Sequence, residues 1–333
     1  MILVVSLNPA LDITHGLHHA DWAGVNRAAD VHVRPGGKGV NVARVLHALG
    51  LDVLLIGLAG GIAGNGLRAE LRARGVAAVM ADIADETRRT FAVVDSGRGD
   101  TALFNEPGPR VTPDEYARFR AMFAAQLAGC TAVVLSGSLP PGLPASTYAD
   151  LIALAAGAGV PALLDTSGDA LMLGTAAGPA VVKPNLAELQ AVAERRLAAS
   201  IPEGRGSPDV AQSWCCGPVA AAAPAADILR GAGASAVVVT LGSDGLIALT
   251  QGESWHARPR QVSGGNPTGA GDAVAAALAH GLATDTPWAD RVAHAAALGA
   301  AAVAAPVAGE IDLAHYQRAL AGVQVCPVRR QWP

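Results

Sequence analysis

A chain of 333 residues, 51% hydrophobic and 16% charged, can bury a large core as one large α/β domain or two smaller ones, which excludes a disordered protein. Its formal net charge of -4 provides no basic field for a phosphate backbone, so nucleic acid is not an expected partner. The composition favours an enzyme acting on small molecules.

The first apolar run, 2–7, has no cationic lead-in and is too short for a signal peptide; it reads as a buried strand of a cytoplasmic protein. Similar runs rich in Val, Ile and Leu follow at 53–60, 132–137, 161–166, 180–185 and 236–242. Helix-length amphipathic segments lie between them at 38–49, 66–74, 114–128, 145–156 and 225–232. Apolar strands alternating with helices imply a mostly parallel sheet covered on both faces, with ligands beyond the C-terminal strand ends. Two segments, 11–35 and 87–105, instead alternate and carry turn residues; they suggest short antiparallel strands forming a small β lid. The α/β core then comprises 1–10, 36–86 and 106–333. Within it, 200–224 reads as an insertion or mobile loop. The alanine-rich segment 292–309 reads as a close-packed helix rather than a membrane span. Four cysteines without CxxC spacing, Cys215 and Cys216 adjacent, indicate neither a zinc site nor a disulfide framework.

Only Lys38 and Lys183 among the 24 basic residues are lysine; every other is arginine. Both lie in Gly-, Pro- or Asn-punctuated motifs, GGKGVN and VVKPN, where a compact ammonium can meet a phosphate oxygen that a planar guanidinium fits poorly. GGKGVN precedes an amphipathic helix whose first N–H groups suit anions or hydroxyl oxygens, although glycine as a turn-maker explains the pattern equally well. It is not a Walker A loop, because Gly39 follows Lys38 where Ser or Thr would hold magnesium. GNGLRA (64–69) fits a relaxed dinucleotide pattern but reads better as a structural turn. In KPNLAEL, Asn185 and Glu188 have capping-box spacing; alternatively their oxygens order a hydrated Mg²⁺ while Lys183 meets nucleotide phosphate. TLGSDG (240–245) offers turn glycines where a nucleotide could lie, or simply a hairpin loop.

NPTGAGDAVAAALAHG (266–281) opens a helix with the N–H groups of Gly269, Ala270 and Gly271, an anion hole, and places Asp272 in its first turn. As a helix cap Asp272 would contribute a few tenths to about 1 kcal/mol, which leaves the glycines unexplained. A carboxylate beside an anion hole makes sense if it takes a proton from the group attacking the anion, as in phosphoryl transfer. An ordinary Asp pKa of about 4 would keep it ionised.

These residues give the chain a resemblance to the ribokinase-like (PfkB) carbohydrate kinases over nearly its whole length. GGKGVNVARVLHALG and NPTGAGDAVAAA are similar to the two family signatures, and NPALDIT (8–14), SGSLPPG (136–142), VKPNLAEL and TLGSDG to further blocks. NPALDIT, GGKGVNVAR and FNEPGP (104–109) look most like the 1-phosphofructokinase and tagatose-6-phosphate kinase branch. The resemblance implies a three-layer α/β core with a β lid, a homodimer through that lid, and transfer of the ATP γ-phosphoryl group, with Mg²⁺, to a sugar hydroxyl. It makes Asp272 the base and Gly269, Ala270 and Gly271 the anion hole. Asp12, Gly37, Lys38, Asn41, Arg88 and Ser138 would hold the acceptor, with Arg88 and Lys38 on its existing phosphate. Lys183, Asn185, Thr240, Gly242 and Gly245 would serve the nucleotide, and Asn185 and Glu188 the metal through water. Fructose 1-phosphate, fructose 6-phosphate and tagatose 6-phosphate are the implied acceptors. Thr90 and Ala92 depart from the branch, which carries Asn and Lys there; Arg89 or Arg27 are the residues expected to compensate. The alternatives are a kinase for an unphosphorylated sugar or nucleoside, a catalytically silent sugar sensor, and an NAD-dependent dehydrogenase built on GNGLRA.

Overall fold

The computed structural model describes residues 1–200, 218–262, 265–305 and 307–328. Six apolar runs become parallel strands: β1 (Ile2–Ser6), β4 (Val53–Ala59), β8 (Ala132–Ser136), β9 (Ala162–Asp165), β10 (Val181–Val182) and β11 (Ala236–Thr240). With β5 (Ala78–Asp82), β12 (Leu246–Leu249), β13 (Ser254–Arg258) and β14 (Gln324–Pro327) they form a ten-stranded sheet ordered β14-β13-β12-β11-β10-β9-β8-β1-β4-β5. Pairing is parallel from β5 to β11 and antiparallel from β11 to β14.

Successive strand residues point to opposite faces, and each face has its own core. Leu3, Val5, Val133 and Leu135 pack with Phe119 and Phe123 of α3 (Pro113–Gln126), Leu151 of α4 (Thr147–Gly157) and Leu171 of α5 (Gly168–Ala176). The same layer includes Leu189 of α6 (Leu186–Ser200) and Leu229 of α7 (Pro218–Gly231). Ile2, Val4 and Val134 face the other way, onto α1 (Lys38–Ala48), α2 (Gly61–Ala73), α8 (Ala270–Ala283) and α9 (Trp288–Ala304). A last helix, α10 (Leu313–Leu320), packs on α9. The result is the three-layer α/β fold expected from the alternating pattern. The alanine-rich segment is α9, buried from Ala295 to Ala302. Among the described residues no helix is long and apolar enough to cross a membrane.

A second sheet has the order β3-β2-β6-β7, from β2 (Ala10–Leu17), β3 (Asp30–Gly36), β6 (Arg89–Asp95) and β7 (Asp100–Asn105). Its outer pairs are antiparallel, but β2 and β6 run parallel, contrary to the wholly antiparallel expectation. The reason is topological: β2 and β6 follow β1 and β5, whose C-terminal ends lie on one side of the large sheet, so both leave it in the same direction.

Two further expectations need correction. GNGLRA is no turn: residues 64–69 lie inside α2, which starts three residues earlier, its first N–H groups from Ile62 and Ala63 accepted by the Glu86 carboxylate. Of the segment 200–224, residues 218–224 belong to α7, which begins at Pro218, a position where a fixed φ suits a helix, and contains Pro224. Residues 201–217, with Cys215 and Cys216, lie outside the described residues.

Candidate active site

The parallel strands end side by side, and the residues just past them line a cleft of about 1750 Å³ with the inner face of the small sheet. Asp165 ends β9, Lys183 follows β10 and Thr240 ends β11. Across from them α8 begins. Gly269 caps it at φ 88°, and a Cβ there would stand 3.1 Å from Ala308, so both backbone conformation and close approach demand glycine. The N–H groups of Gly269, Gly271 and Asp272 have no partner among the described residues, whereas that of Ala270 donates to the Pro267 carbonyl at 3.2 Å. The hole of free donors is therefore displaced from the expected Gly269, Ala270 and Gly271 set. Gly271 leaves its missing Cβ 3.6 Å from Lys183 Nζ, open toward that ammonium.

Asp272 is buried, and its Oδ2 accepts a hydrogen bond from Asn41 Nδ2 at 2.9 Å. Its pKa is pushed up to about 7, first by burial and then by the nearby Asp165 charge, against the lowering effects of Asn41, Lys183 and Lys38. The ordinary value of about 4 anticipated from the sequence therefore does not apply: low dielectric and a like charge favour the protonated form.

Asp165, which sequence reasoning missed, organises this end of the site. It is fully buried; its Oδ1 lies 3.3 Å from Lys38 Nζ and its Oδ2 3.2 Å from Lys183 Nζ. The chain's only two lysines thus meet on one carboxylate. Its place at the end of an apolar strand run, where this architecture puts ligands, was the available signal. Lys38 Nζ also approaches Glu188 Oε1 at 3.5 Å. Burial opposes its charge, yet Asp165, Glu188 and Asp272 outweigh that effect and hold the ammonium above its usual range. The expected pairing of Lys38 with Arg88 on one phosphate is not what the geometry shows: Lys38 is directed to the carboxylates, while Arg88 Nε donates to the Asn8 carbonyl at 3.1 Å.

Asn185 and Glu188 form a reciprocal capping box: Glu188 N donates to Asn185 Oδ1 at 2.8 Å and Asn185 N to Glu188 Oε2 at 2.9 Å. Thr240, Gly242 and Gly245 line the cleft around the β11–β12 hairpin, so TLGSDG is a hairpin loop that also borders the cleft. Gly37 caps α1 at φ 96° and, like Asp12, Lys38 and Asn41, lines the cleft. The Asp12 carboxylate lies over Gly36, where a side chain would overlap it; burial raises its pKa, with Thr90, Arg88 and Arg44 opposing. Ser138 stands outside the cleft lining and accepts from Asn8 Nδ2 at 3.1 Å. Neither compensating arginine reaches the cleft. Arg89 pairs with Glu106 at 3.3 Å and stacks on Phe91, on the outer face of β6, and Arg27 is exposed. Arg34 and Arg44 line it instead.

A buried carboxylate, open helix N–H groups and two lysines, one just past β10 and one opening α1, form a site able to bind a polyphosphate and deprotonate a hydroxyl, the equipment of a phosphotransferase. Over residues 8–313 the chain matches the pfkB family of carbohydrate kinases; it belongs to that family and is an ATP-dependent carbohydrate kinase. It is 28% identical to phosphofructokinase-2 from Escherichia coli solved with potassium, over 96% of this chain and 98% of that one, with a TM-score of 0.85. The same enzyme in complex with fructose-6-phosphate gives 28% identity, 96% and 98% coverage and a TM-score of 0.82. A carbohydrate kinase from Agrobacterium tumefaciens shares the fold at 20% identity, covering 98% of this chain and 99% of that one, with a TM-score of 0.70.

Proposed function

We propose that the protein transfers the γ-phosphoryl group of ATP to a hydroxyl of a ketohexose phosphate, with Asp272 as the base. The observation that carries this reading is the buried Asp272 carboxylate, held by Asn41 at 2.9 Å in the first turn of α8. In its ionised form it accepts the hydroxyl proton as the oxygen attacks phosphorus, while Asn41 fixes the carboxylate's direction. The N–H groups of Gly269, Gly271 and Asp272 and the Lys183 ammonium stabilise the negative charge on the transferring group. Lys38, bound between Asp165 and Glu188, adds positive charge to the same wall. Thr240, Gly242 and Gly245 border the nucleotide, and Asp12 and Gly37 take the acceptor's hydroxyls.

The donors near Lys183 are hard oxygens, which suit Mg²⁺. Asn185 and Glu188 each use one oxygen in their capping box, so they would hold the ion through water. Held there with ATP, Mg²⁺ would neutralise phosphate charge. Arg88 supports a phosphorylated acceptor, because a guanidinium can bind a phosphate with two parallel hydrogen bonds. The similarity to a phosphofructokinase-2 solved with fructose-6-phosphate supports the same class. We also propose a homodimer through the outer face of the small sheet. The test of the acceptor is ADP release with fructose, fructose 1-phosphate, fructose 6-phosphate and tagatose 6-phosphate. Turnover of a phosphorylated ketohexose is expected; turnover of unphosphorylated sugars alone would overturn the role given to Arg88.

A further inference from the structure

The residues of the small sheet that face the cleft include a single cation. On β6 the cleft-lining residues are Thr90, Ala92 and Val94; on β7 they are Asp100, at the end of the strand away from Asn105, with Thr101, Leu103 and Asn105; on β2, Asp12, Ile13 and Thr14. Only β3 adds a positive charge, Arg34, which stands directly opposite Asp12 in the ladder. The row Arg34, Asp12, Thr90 and Asn105 thus crosses all four strands on the cleft side.

Arg34 is half-buried, and no described residue gives its guanidinium a hydrogen bond or ion pair. The neighbouring cations differ. Arg44 is buried and fully engaged, donating to the Ala308 carbonyl at 2.9 Å and to Glu310 at 3.2 Å. Arg88 lines the cleft and donates Nε to the Asn8 carbonyl, its terminal nitrogens making no hydrogen bond to a described residue. With Glu310 matched to Arg44 and Glu106, which also acts on Arg88, matched to Arg89, Asp12 is left between Arg34 and Arg88, so the base of the small sheet carries positive charge in excess of its carboxylates. Burial first, then Arg74 and Arg34, lower the pKa of Arg44 against the pull of Glu310; an anion arriving here relieves like-charge repulsion.

We propose that Arg34 is a specificity-determining residue that binds the phosphoester of the acceptor, completing with Arg88 a two-arginine site across Asp12. The inference rests on the ketohexose-phosphate reading and deepens it: Arg34 supplies on β3 the charge that Thr90 and Ala92 do not supply on β6. A planar fork can hold two phosphate oxygens, which a lysine cannot reproduce.

The test compares wild type with Arg34→Met and Arg34→Lys in steady-state kinetics, varying a ketohexose phosphate, the corresponding free ketohexose and ATP in turn. Arg34→Met is expected to raise KM for the phosphorylated acceptor about 10- to 100-fold, the scale of a lost charge-assisted hydrogen bond or two, with Arg34→Lys between it and wild type. KM for ATP stays within about twofold of wild type, and an unchanged thermal unfolding midpoint shows that the variants fold. If wild type turns over a ketohexose phosphate and Arg34→Met leaves its KM unchanged, the role of Arg34 is refuted and the substrate reading stands. If wild type turns over only free sugars, the substrate reading fails, and this inference with it.

Discussion

At Asp272 the requirements of burial and of chemistry oppose each other. A carboxylate dry enough to sit 6% exposed beside Asp165 binds its proton up to about pH 7, so the proposed base is only partly ionised at neutrality. kcat/KM is therefore expected to rise with pH through about 7, as the active carboxylate form appears, rather than to be flat above pH 5. Asp165→Asn removes the like charge that raises this pKa, so the rising limb should move to lower pH even as phosphate binding weakens; a limb that stays or moves up would contradict the electrostatic account. Stability follows the same linkage. Because the folded pKa lies above the unfolded one, the wild type loses stability as pH rises between about 4 and 7. Asp272→Asn should then be more stable than wild type at pH 8, by up to a few kcal/mol at about 1.4 per pKa unit, with the gain gone near pH 4 in denaturant titrations. GAGD drew attention to Asp272 because a cap alone does not explain its glycines. The pKa of Asp272 was not legible, because it is set first by burial and then by Asp165 and Asn41, residues distant in sequence and brought together only by the fold.

Local patterns fixed some elements well and others poorly. Continuous Val, Ile and Leu runs announce buried parallel strands because both faces of such a strand are covered, and all six such runs are strands. The start of α2 was illegible, since Gly60 and Gly61 suggest a turn while the carboxylate that holds its first N–H groups comes from Glu86, across the β4–α2–β5 unit. The Asn185–Glu188 spacing was legible as a capping box, but its second use, beside Lys38, depends on α1 arriving from another part of the chain. At the start of α8, Gly269→Ala should cost about 1–3 kcal/mol, through left-handed backbone strain and the 3.1 Å approach of Ala308, and should lower kcat more than it raises KM for either substrate. Thermal unfolding together with the kcat and KM split checks both parts; a stable, fully active variant would remove the anion hole's dependence on this backbone.

At the scale of the whole molecule, the small sheet has two unlike faces. Its cleft side carries the polar row of Arg34, Asp12, Thr90 and Asn105, whereas Val31, Val33 and Phe104 stand exposed on the other side, with Trp22 packed 6.3 Å from the Phe104 ring. Exposed apolar area of this kind marks an interaction surface, and a second copy of the same face is the partner the proposal assigns. Wild type is expected to sediment as a dimer and Val33→Asp as a monomer at the same concentration; a monomeric wild type would contradict the assignment. The patch was invisible in the sequence because strand alternation reveals two faces without saying which one meets solvent.

The central claim, that Asp272 is the proton acceptor in phosphoryl transfer, is tested most directly by the pH dependence of kcat/KM for wild type and Asp272→Asn on the same turned-over acceptor. The account predicts a wild-type rate that rises through about pH 7 and a variant about 10²- to 10⁴-fold slower, without that limb, that still binds ATP. An Asp272→Asn variant within tenfold of wild type, or one retaining the limb near pH 7, would contradict it.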